Sequence, residues 1–169
     1  QNKRNQIDQY FKRVAINLSL LAKNPTTVRA VSEFETAFEA GGDQASGPQW
    51  SAVESQYGPV FTNLLKEDGY YDVFLIAADG DVVFSATKES DLGENLVSGA
   101  LKNSGLAHAF VGTREKEISF ADFSPYAPSG NKPAGFLAKP VLDADGRFIG
   151  AVAVQLPINQ INEVMQERT

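Results

Sequence analysis

Residues 71–88, YDVFLIAADGDVVFSATK, decide the fold of this chain. An apolar run, 73–78, meets Asp79-Gly80, and a second run rich in β-formers, 82–87, leaves it. Asp-Gly between two such runs is a strong hairpin signal, because both residues tolerate the positive φ of a two-residue primed turn. We therefore predict that an antiparallel sheet begins here and that Lys88 stands at its rim.

Three further strands complete the predicted sheet. Residues 117–123 alternate apolar and polar side chains, and a loop rich in Pro, Ser and Gly follows them. Strands over 134–142 and 148–156 are joined by a second Asp-Gly turn, Asp145-Gly146. Two such hairpins indicate an antiparallel sheet of five strands.

Amphipathic helices precede this sheet. Apolar residues recur at three- and four-residue steps over 2–23, which predicts a helix. The residues that share this stripe are Ile7, Phe11, Val14, Leu18 and Leu21. Asn24-Pro25 ends that helix and begins a second one, as N-cap and first helical residue. A third helix has an apolar face from Trp50 to Leu65, a predicted kink at Gly58-Pro59 and Gly69 at its end. Short helices follow the first hairpin, and Pro157 opens a last helix, so the fold class is α+β.

Composition and charge exclude several classes of function. The chain has 169 residues, a net charge of −6 and no cysteine. An acidic chain without a basic stripe is not expected to bind nucleic acid. The absence of cysteine removes disulfides, thiol nucleophiles and thiolate metal ligands, and it fits an oxidising compartment.

No catalytic, metal or cofactor motif is present in the sequence. His108 is the single histidine and has no motif around it, so a surface or partly buried side chain is the favoured interpretation. Residues 143–146, DADG, resemble the start of a calcium loop, but the twelfth position is Val154, where a bidentate Glu is required. We interpret them as a hairpin turn and predict no enzyme, no metal site and no cofactor.

Two lysines and one loop are the candidates for ligand binding. Lys88 follows a strand, and Lys139 interrupts an apolar strand, so each faces either solvent or an anion held in a pocket. Strand alternation puts Phe84 and Lys88 on one face. The loop 122–129, DFSPYAPS, offers a carboxylate, hydroxyls and aromatic rings in a Pro-stiffened segment, and small-ligand pockets combine such groups. A rigid surface connection is the alternative for this loop.

Several segments from residue 70 onward together resemble the extracytoplasmic Cache (PAS-like) sensor domains of bacterial receptors, methyl-accepting chemotaxis proteins above all. They are YYDVFLIAADGDVVFSATKESDLGENL, SGLAHAF, FADFSPYAPS, PAGFLAKPV and GRFIGAVAVQLPINQINEVM. The first 69 residues match only in general character.

The resemblance implies a five-stranded antiparallel sheet with a long N-terminal helix and flanking helices. Residues 70–169 would form the Cache ligand-binding domain, and residues 1–69 would be an N-terminal helical segment packing on it. The parent protein would span the inner membrane on both sides of this fragment, which would place the fragment in the periplasm. The helix over 2–23 would carry the signal; its apolar stripe is expected either to form a homodimer seam or to pack on its own domain.

The resemblance also implies a pocket between the sheet and the segments that connect strands two and three. No Tyr/Arg/Trp/Tyr cluster of the amino-acid-sensing subgroup is present, which favours a small carboxylate such as pyruvate, lactate or acetate. Lys88 would face this carboxylate, and Lys139 could be a second cation. The polar contacts would come from Asp122, Ser124 and Tyr126, and the apolar walls from Phe84, Phe110 and Phe136.

The expected function is therefore that of a chemoreceptor sensor domain that binds a small carboxylate and relays a conformational shift across the membrane. Two alternatives remain open. One is the sensor domain of a kinase or cyclase, and the other is a ligand-free module for dimerisation or partner binding.

Overall fold

The chain folds into a five-stranded sheet with helices on both faces. The computed structural model describes residues 2–158, so most of the predicted last helix lies outside the described residues. The elements are α1 (Asn2–Lys23), α2 (Pro25–Ala40), α3 (Pro48–Asp68), β1 (Asp72–Ala77), β2 (Val82–Ser85), α4 (Gly105–Gly112), β3 (Ser119–Tyr126), a 3₁₀ turn (Ala127–Ser129), β4 (Lys132–Leu142) and β5 (Phe148–Gln155). The predicted α+β class is confirmed.

The strands lie in the order β2-β1-β5-β4-β3, and every pair is antiparallel. The predicted sheet is therefore confirmed. β1, β5 and β4 form its centre. The edge of β2 is covered by the segment 93–96, because Gly93 N–H donates to the Val82 carbonyl and Val82 N–H donates to the Glu94 carbonyl.

Both Asp-Gly turns are present, but the two-residue primed geometry predicted for the first is wrong. Gly80 N–H donates to the Ala77 carbonyl, and Ala77 N–H donates to the Asp81 carbonyl, which closes a loop of three residues. Only Gly80 has a positive φ, of 101°, as in a type I turn followed by a left-handed residue. The Asn95 amide fixes this loop from outside by donating to the Asp79 carbonyl and the Asp81 carboxylate.

Helices α1, α2 and α3 cover one face of the sheet and enclose the larger apolar core. Asn24 caps α2 as predicted, since its side chain accepts from Thr26 N–H at 2.8 Å. Helix α3 continues through Pro59 to Asp68. Trp50 fixes α3 to the sheet by donating from Nε1 to the Val83 carbonyl at 2.9 Å. We call this side of the sheet the helix face.

The opposite side of the sheet, which we call the α4 face, is covered by α4 and the long connection from β2 to β3. Ser104 caps α4 by accepting from Ala107 N–H. The core on this side includes Phe74, Phe110 and Phe136, all buried. Gly105 permits the close approach, because a Cβ there would lie 3.2 Å from the Phe136 ring.

The residues of the predicted α1 stripe are buried or partly buried, whereas a second apolar pair on this helix, outside the stripe, is exposed. Val14 and Leu18 are buried against the helix face, so this part of the stripe packs on its own domain. Ile16 and Leu20, which are four residues apart, are 61 % and 67 % exposed. Among the described helices none is long and apolar enough to cross a membrane.

Strand β3 is longer than the predicted strand. It extends to Tyr126, so Ser124 and Tyr126 belong to the sheet and not to a loop. Pro125 is tolerated because β3 is an edge strand, where a missing N–H removes no bond to a further neighbour. A bulge between Ala121 and Ser124 shifts the register, and alternation alone could not predict it.

Gly150 provides a test of the sheet centre. A Cβ at this position would lie 2.2 Å from the Ile76 carbonyl oxygen, which is backbone and cannot move cheaply. We expect Gly150→Ala to lower the free energy of unfolding by about 3 kcal/mol. Gly146→Ala is the control: its φ is 82° and nothing surrounds the new Cβ, so only backbone strain of about 1 kcal/mol is expected. Urea denaturation measures both free energies of unfolding. Equal losses would contradict the close approach of the Ile76 carbonyl to residue 150.

Candidate functional site

One end of the α4 face carries a group of buried and half-buried polar side chains, which we call the polar cluster. Its members come from β1, β2, β3, β5, the β2–α4 connection and the 3₁₀ turn. They are Asp72, Ser85, Glu89, Asp91, Tyr126, Ser129 and Gln155. All except Glu89 are buried.

Strand register brings the first of these residues together. Asp72 of β1 is paired directly with Gln155 of β5, so both side chains project from the same face of the sheet. Phe74 and Ser85 are another such pair. Because Phe74 belongs to the apolar core of the α4 face, alternation places Asp72, Ser85 and Gln155 at the polar end of that core.

The Asp72 carboxylate organises the chain that leaves β2. Its Oδ1 accepts from Val73 N–H at 2.8 Å and Thr87 N–H at 3.0 Å, and its Oδ2 accepts from Ser85 Oγ at 2.9 Å. Ser85 Oγ in turn accepts from Lys88 N–H at 2.9 Å. Lys88 adopts a φ of 61°, a left-handed conformation that is uncommon for lysine. This turn directs the following acidic residues back toward Asp72.

Hydroxyl groups orient the other two carboxylates. Tyr126 donates to Asp91 Oδ2 at 2.8 Å. Ser129 donates to Glu89 Oε1 at 2.8 Å, and Tyr71 donates to Glu89 Oε2 at 2.5 Å. As a result, one oxygen from each of Asp72, Glu89 and Asp91 lies within 4.8 Å of the others.

Two buried acceptors of the cluster have no hydrogen-bond partner among the residues that the structure describes. They are Asp91 Oδ1 and Gln155 Oε1. Asp91 is 0 % exposed and Gln155 is 2 % exposed. A buried polar atom without a partner costs roughly 1–3 kcal/mol, so these two oxygens indicate unused binding capacity.

Burial raises the pKa of the cluster carboxyls. Desolvation raises the pKa of Asp72 to about 6, although the hydrogen bonds from Thr87 and Ser85 act against the shift. Desolvation likewise raises the pKa of Asp91 to about 7; the bond from Tyr126 lowers it, and the charges of Asp72 and Glu89 raise it further. The pKa of the Tyr126 hydroxyl is also raised, first by burial and then by the Asp91 charge. Negative charge in this cluster is therefore unfavourable.

The structure places Lys88 on the helix face. Its Nζ lies 2.8 Å from Glu54 Oε2 of α3 and 5.7 Å from the centre of the Phe84 ring. The predicted common face of Phe84 and Lys88 is therefore present. Phe84 itself packs against Phe34 and Phe61 in the core of the helix face, so both residues lie on the far side of the sheet from the polar cluster.

Tyr126, Phe110 and Phe136 lie together on the α4 face. The rings of Tyr126 and Phe136 meet edge to face at 4.9 Å. Of the predicted site residues, Tyr126 alone belongs to the polar cluster, and the two phenylalanines belong to the apolar core beside it.

The remaining predicted residues lie elsewhere. Asp122 and Ser124 are exposed, and the Asp122 carboxylate accepts from Phe123 N–H beside it. Lys139 is half-buried, and strand alternation places it with Leu137 and Val141 on the helix face. The eight predicted residues therefore do not line a single pocket.

Sequence reasoning missed most of the polar cluster. Asp72, Glu89 and Asp91 are not among the predicted site residues. A signal was present, because an Asp that opens a fully buried strand needs hydrogen-bond donors. The positions of Gln155 and Ser129 depend on register and on the 3₁₀ turn, which the sequence pattern does not specify.

The comparisons with known proteins support this fold. No family model and no curated protein matches the sequence. Among solved structures, the sensor domain of the Vibrio cholerae histidine kinase DctB superposes with a TM-score of 0.67 at 17 % identity, over 96 % of this chain and 57 % of that chain. The Escherichia coli DcuS sensor domain gives 0.59 at 13 % identity, over 98 % and 99 % of the two chains.

A chemoreceptor has the same fold. The ligand-binding domain of Campylobacter jejuni Tlp3, in complex with L-valine, gives a TM-score of 0.51 at 16 % identity, over 93 % of this chain and 65 % of that chain. This chain therefore spans a little over half of the DctB domain and about two thirds of the Tlp3 domain. The resemblance to Cache sensor domains is confirmed at the level of the fold.

The raised carboxyl pKa values predict a pH dependence of stability. A carboxyl with a higher pKa in the folded than in the unfolded state binds more protons when folded, so the free energy of unfolding falls as pH rises from about 4 to about 7. One group contributes at most about 1.4 kcal/mol per pH unit. We expect Asp91→Asn to flatten this slope, measured by urea denaturation in a buffer with a chelator. An unchanged slope would contradict the assignment to Asp91.

Proposed function

We propose that this chain is the extracytoplasmic ligand-sensing domain of a membrane receptor. The observation that carries the proposal is the mutual coverage with the DcuS sensor domain, which includes the helices as well as the sheet. A fold alone does not define a function, so the α4 face supplies the second support. There an apolar core ends in buried polar groups with unused acceptors, the combination found in small-molecule sites.

The ligand is proposed to bind on the α4 face, beside Tyr126. The β2–β3 connection, residues 86–118, covers this face and contributes both Glu89 and Asp91 to the polar cluster. A ligand that moves this connection toward the sheet or away from it would act directly on β1 and β5 through Asp72 and Gln155. The proposed role is binding and not catalysis.

The ligand class proposed is the small carboxylate expected from the sequence: pyruvate, lactate or acetate. On the helix face, Lys88 is the cation for such a ligand, but its ammonium group already pairs with Glu54. On the α4 face, the ion pairs of the described residues bring no lysine or arginine to the polar cluster. A carboxylate beside Tyr126 therefore needs another source of positive charge.

The receptor is proposed to be a methyl-accepting chemotaxis protein that spans the inner membrane on both sides of this domain. Sensor kinases are the second candidate, because the DctB domain belongs to a histidine kinase. A cyclase output and a ligand-free dimerisation or partner-binding module are the remaining alternatives. The division into a helical segment, 1–69, and a Cache domain, 70–169, is part of the same proposal.

Signalling is proposed to follow a population shift. A ligand can bias a conformational equilibrium only through different affinities for its two states. Helix α1 packs against β4 and β5 through Val14 and Leu18, so a shift of the sheet centre would move the helix that leads toward the membrane. Movement of packed helices by small amounts is an established route for such signals.

A ligand panel tests the proposal. Pyruvate, lactate and acetate are each added to the protein, and the melting temperature is measured. We expect one of them to raise it, Tyr126→Phe to remove the increase, and Lys88→Ala to retain it. The reverse pattern would place the ligand on the helix face with Lys88. The absence of stabilisation by every compound would contradict the proposed carboxylate.

A homodimer through α1 is proposed from the exposed pair Ile16 and Leu20. An exposed apolar pair on one helix face is stabilised when a second helix covers it. We expect Leu20→Lys to lower the dimer fraction in analytical ultracentrifugation, while Val60→Lys on α3, where the native side chain is 44 % exposed, leaves it unchanged. A wild-type protein that stays monomeric at high concentration would contradict this interface.

A further inference from the structure

We propose that the polar cluster binds a divalent cation of the calcium type, with the carboxylates of Asp72, Glu89 and Asp91 and the amide oxygen of Gln155 as ligands. This inference does not rest on the proposed function, because cation binding requires only the side-chain arrangement.

The spacing of the carboxylates suits calcium. One oxygen from each of the three residues lies within 4.8 Å of the others. Calcium binds oxygen at about 2.3–2.6 Å, so ligands across the ion are separated by up to about 5 Å. Magnesium requires about 2.0–2.1 Å and near-octahedral geometry and keeps several waters, so a set of protein ligands of this kind suits the more tolerant calcium ion better. Hard oxygen ligands of this kind also disfavour zinc and copper.

Gln155 provides an observation independent of the acidic residues. Ser129 Oγ uses its proton to donate to Glu89, so it can only accept from Gln155, and the Gln155 Nε2 group donates to it at 3.0 Å. This chain of bonds fixes the orientation of the amide. The Oε1 atom is left buried and without a partner beside Asp72, its neighbour across the β1–β5 pair. A cation would satisfy it.

Asp91 supplies the second unused oxygen. Its Oδ2 accepts from Tyr126, whereas Oδ1 is buried and has no partner among the described residues. Tyr126 is therefore placed to orient a ligating carboxylate, as the hydrogen-bonded neighbours of metal ligands commonly do. Tyr71 and Ser129 have the same relation to Glu89.

The distribution of charge around the cluster also favours a cation. Within residues 2–158, no lysine or arginine forms an ion pair with Asp72, Glu89 or Asp91. Lys88, their neighbour in sequence, pairs with Glu54 on the opposite face. A bound cation would also supply the charge that a carboxylate ligand needs on the α4 face.

Glu89, the half-buried member of the cluster, also borders a surface cleft. This cleft of about 390 Å³ lies between the α2–α3 loop and the start of the β2–α4 connection. Asp43 and Glu94 line the same cleft, so its walls carry negative charge. An acidic cleft attracts cations and raises their local concentration.

The turn 143–147 offers a matched control, because it holds two carboxylates that are already satisfied. Asp143 accepts from Asp145 N–H and Arg147 N–H, and Arg147 pairs with Asp145 at 2.8 Å. Asp145 is exposed and its side chain faces a guanidinium group, so removing its charge is not expected to affect cation binding.

The test is calorimetric titration of calcium chloride and magnesium chloride into protein stripped with a chelator, at constant ionic strength, with melting temperature as a second measurement. We expect wild-type protein to bind calcium more tightly than magnesium and to melt at a higher temperature with calcium. Asp91→Asn should abolish binding, and Glu89→Gln should weaken it by at least roughly tenfold. Asp145→Asn should bind like wild type.

Each other result overturns the proposal. The absence of heat and of a melting shift with calcium would do so, as would equal calcium affinity in wild type, Asp91→Asn and Glu89→Gln. Stabilisation by methylammonium chloride but not by calcium would assign the cluster to an organic amine. If Asp91→Asn does not fold in the chelator, the calcium affinities of Glu89→Gln and Asp145→Asn are compared instead. Glu89 is only half-buried, so its substitution is expected to leave the protein folded.

Discussion

The hydrogen bonds around the Asp72 carboxylate are the constraint on which the site depends. This carboxylate is fully buried at the start of a central strand, and it accepts from Val73, Ser85 and Thr87. These bonds join the start of β1 to the end of β2 and set the turn at Lys88, whose left-handed backbone redirects the chain. Glu89 and Asp91 therefore return to the α4 face, and the polar cluster is a consequence of how one buried charge is stabilised.

The two faces of the sheet have different chemistry because β-strand side chains alternate. The helix face is a large apolar core beneath α1, α2 and α3, with the Lys88–Glu54 pair at its margin. The α4 face has a smaller apolar core that ends in carboxylates, hydroxyls and an amide. The helices stabilise the sheet, while unsatisfied acceptors remain on the other side.

Much of the fold could be predicted from the sequence, and less of the site. Helix α1 has the predicted bounds, Asn24 caps α2, and the five strands were located to within a few residues, because apolar periodicity and turn residues are local signals. Of the predicted pocket residues, Tyr126, Phe110 and Phe136 share the α4 face, whereas Phe84 lies on the helix face. Lys88 could not be placed, since alternation gives a common face with Phe84 but does not say which helices cover that face. Ser124 was assigned to a loop because a bulge and an edge-strand proline have no periodic signature.

The sequence by itself determined the class of fold, the order of its elements and the acidic character of the chain, because these depend on local propensity, periodicity and composition. The tertiary structure alone decided that Asp72, Glu89, Asp91 and Gln155 meet. Their meeting depends on the β1–β5 register, on the turn at Lys88 and on the hydroxyls of Tyr126 and Ser129, which approach from distant positions in the chain. The tertiary structure likewise decided that Lys88, at the end of the hairpin, pairs with Glu54. Long-range register and the choice of covering helix are properties of the whole packed chain, and no single stretch of residues encodes them.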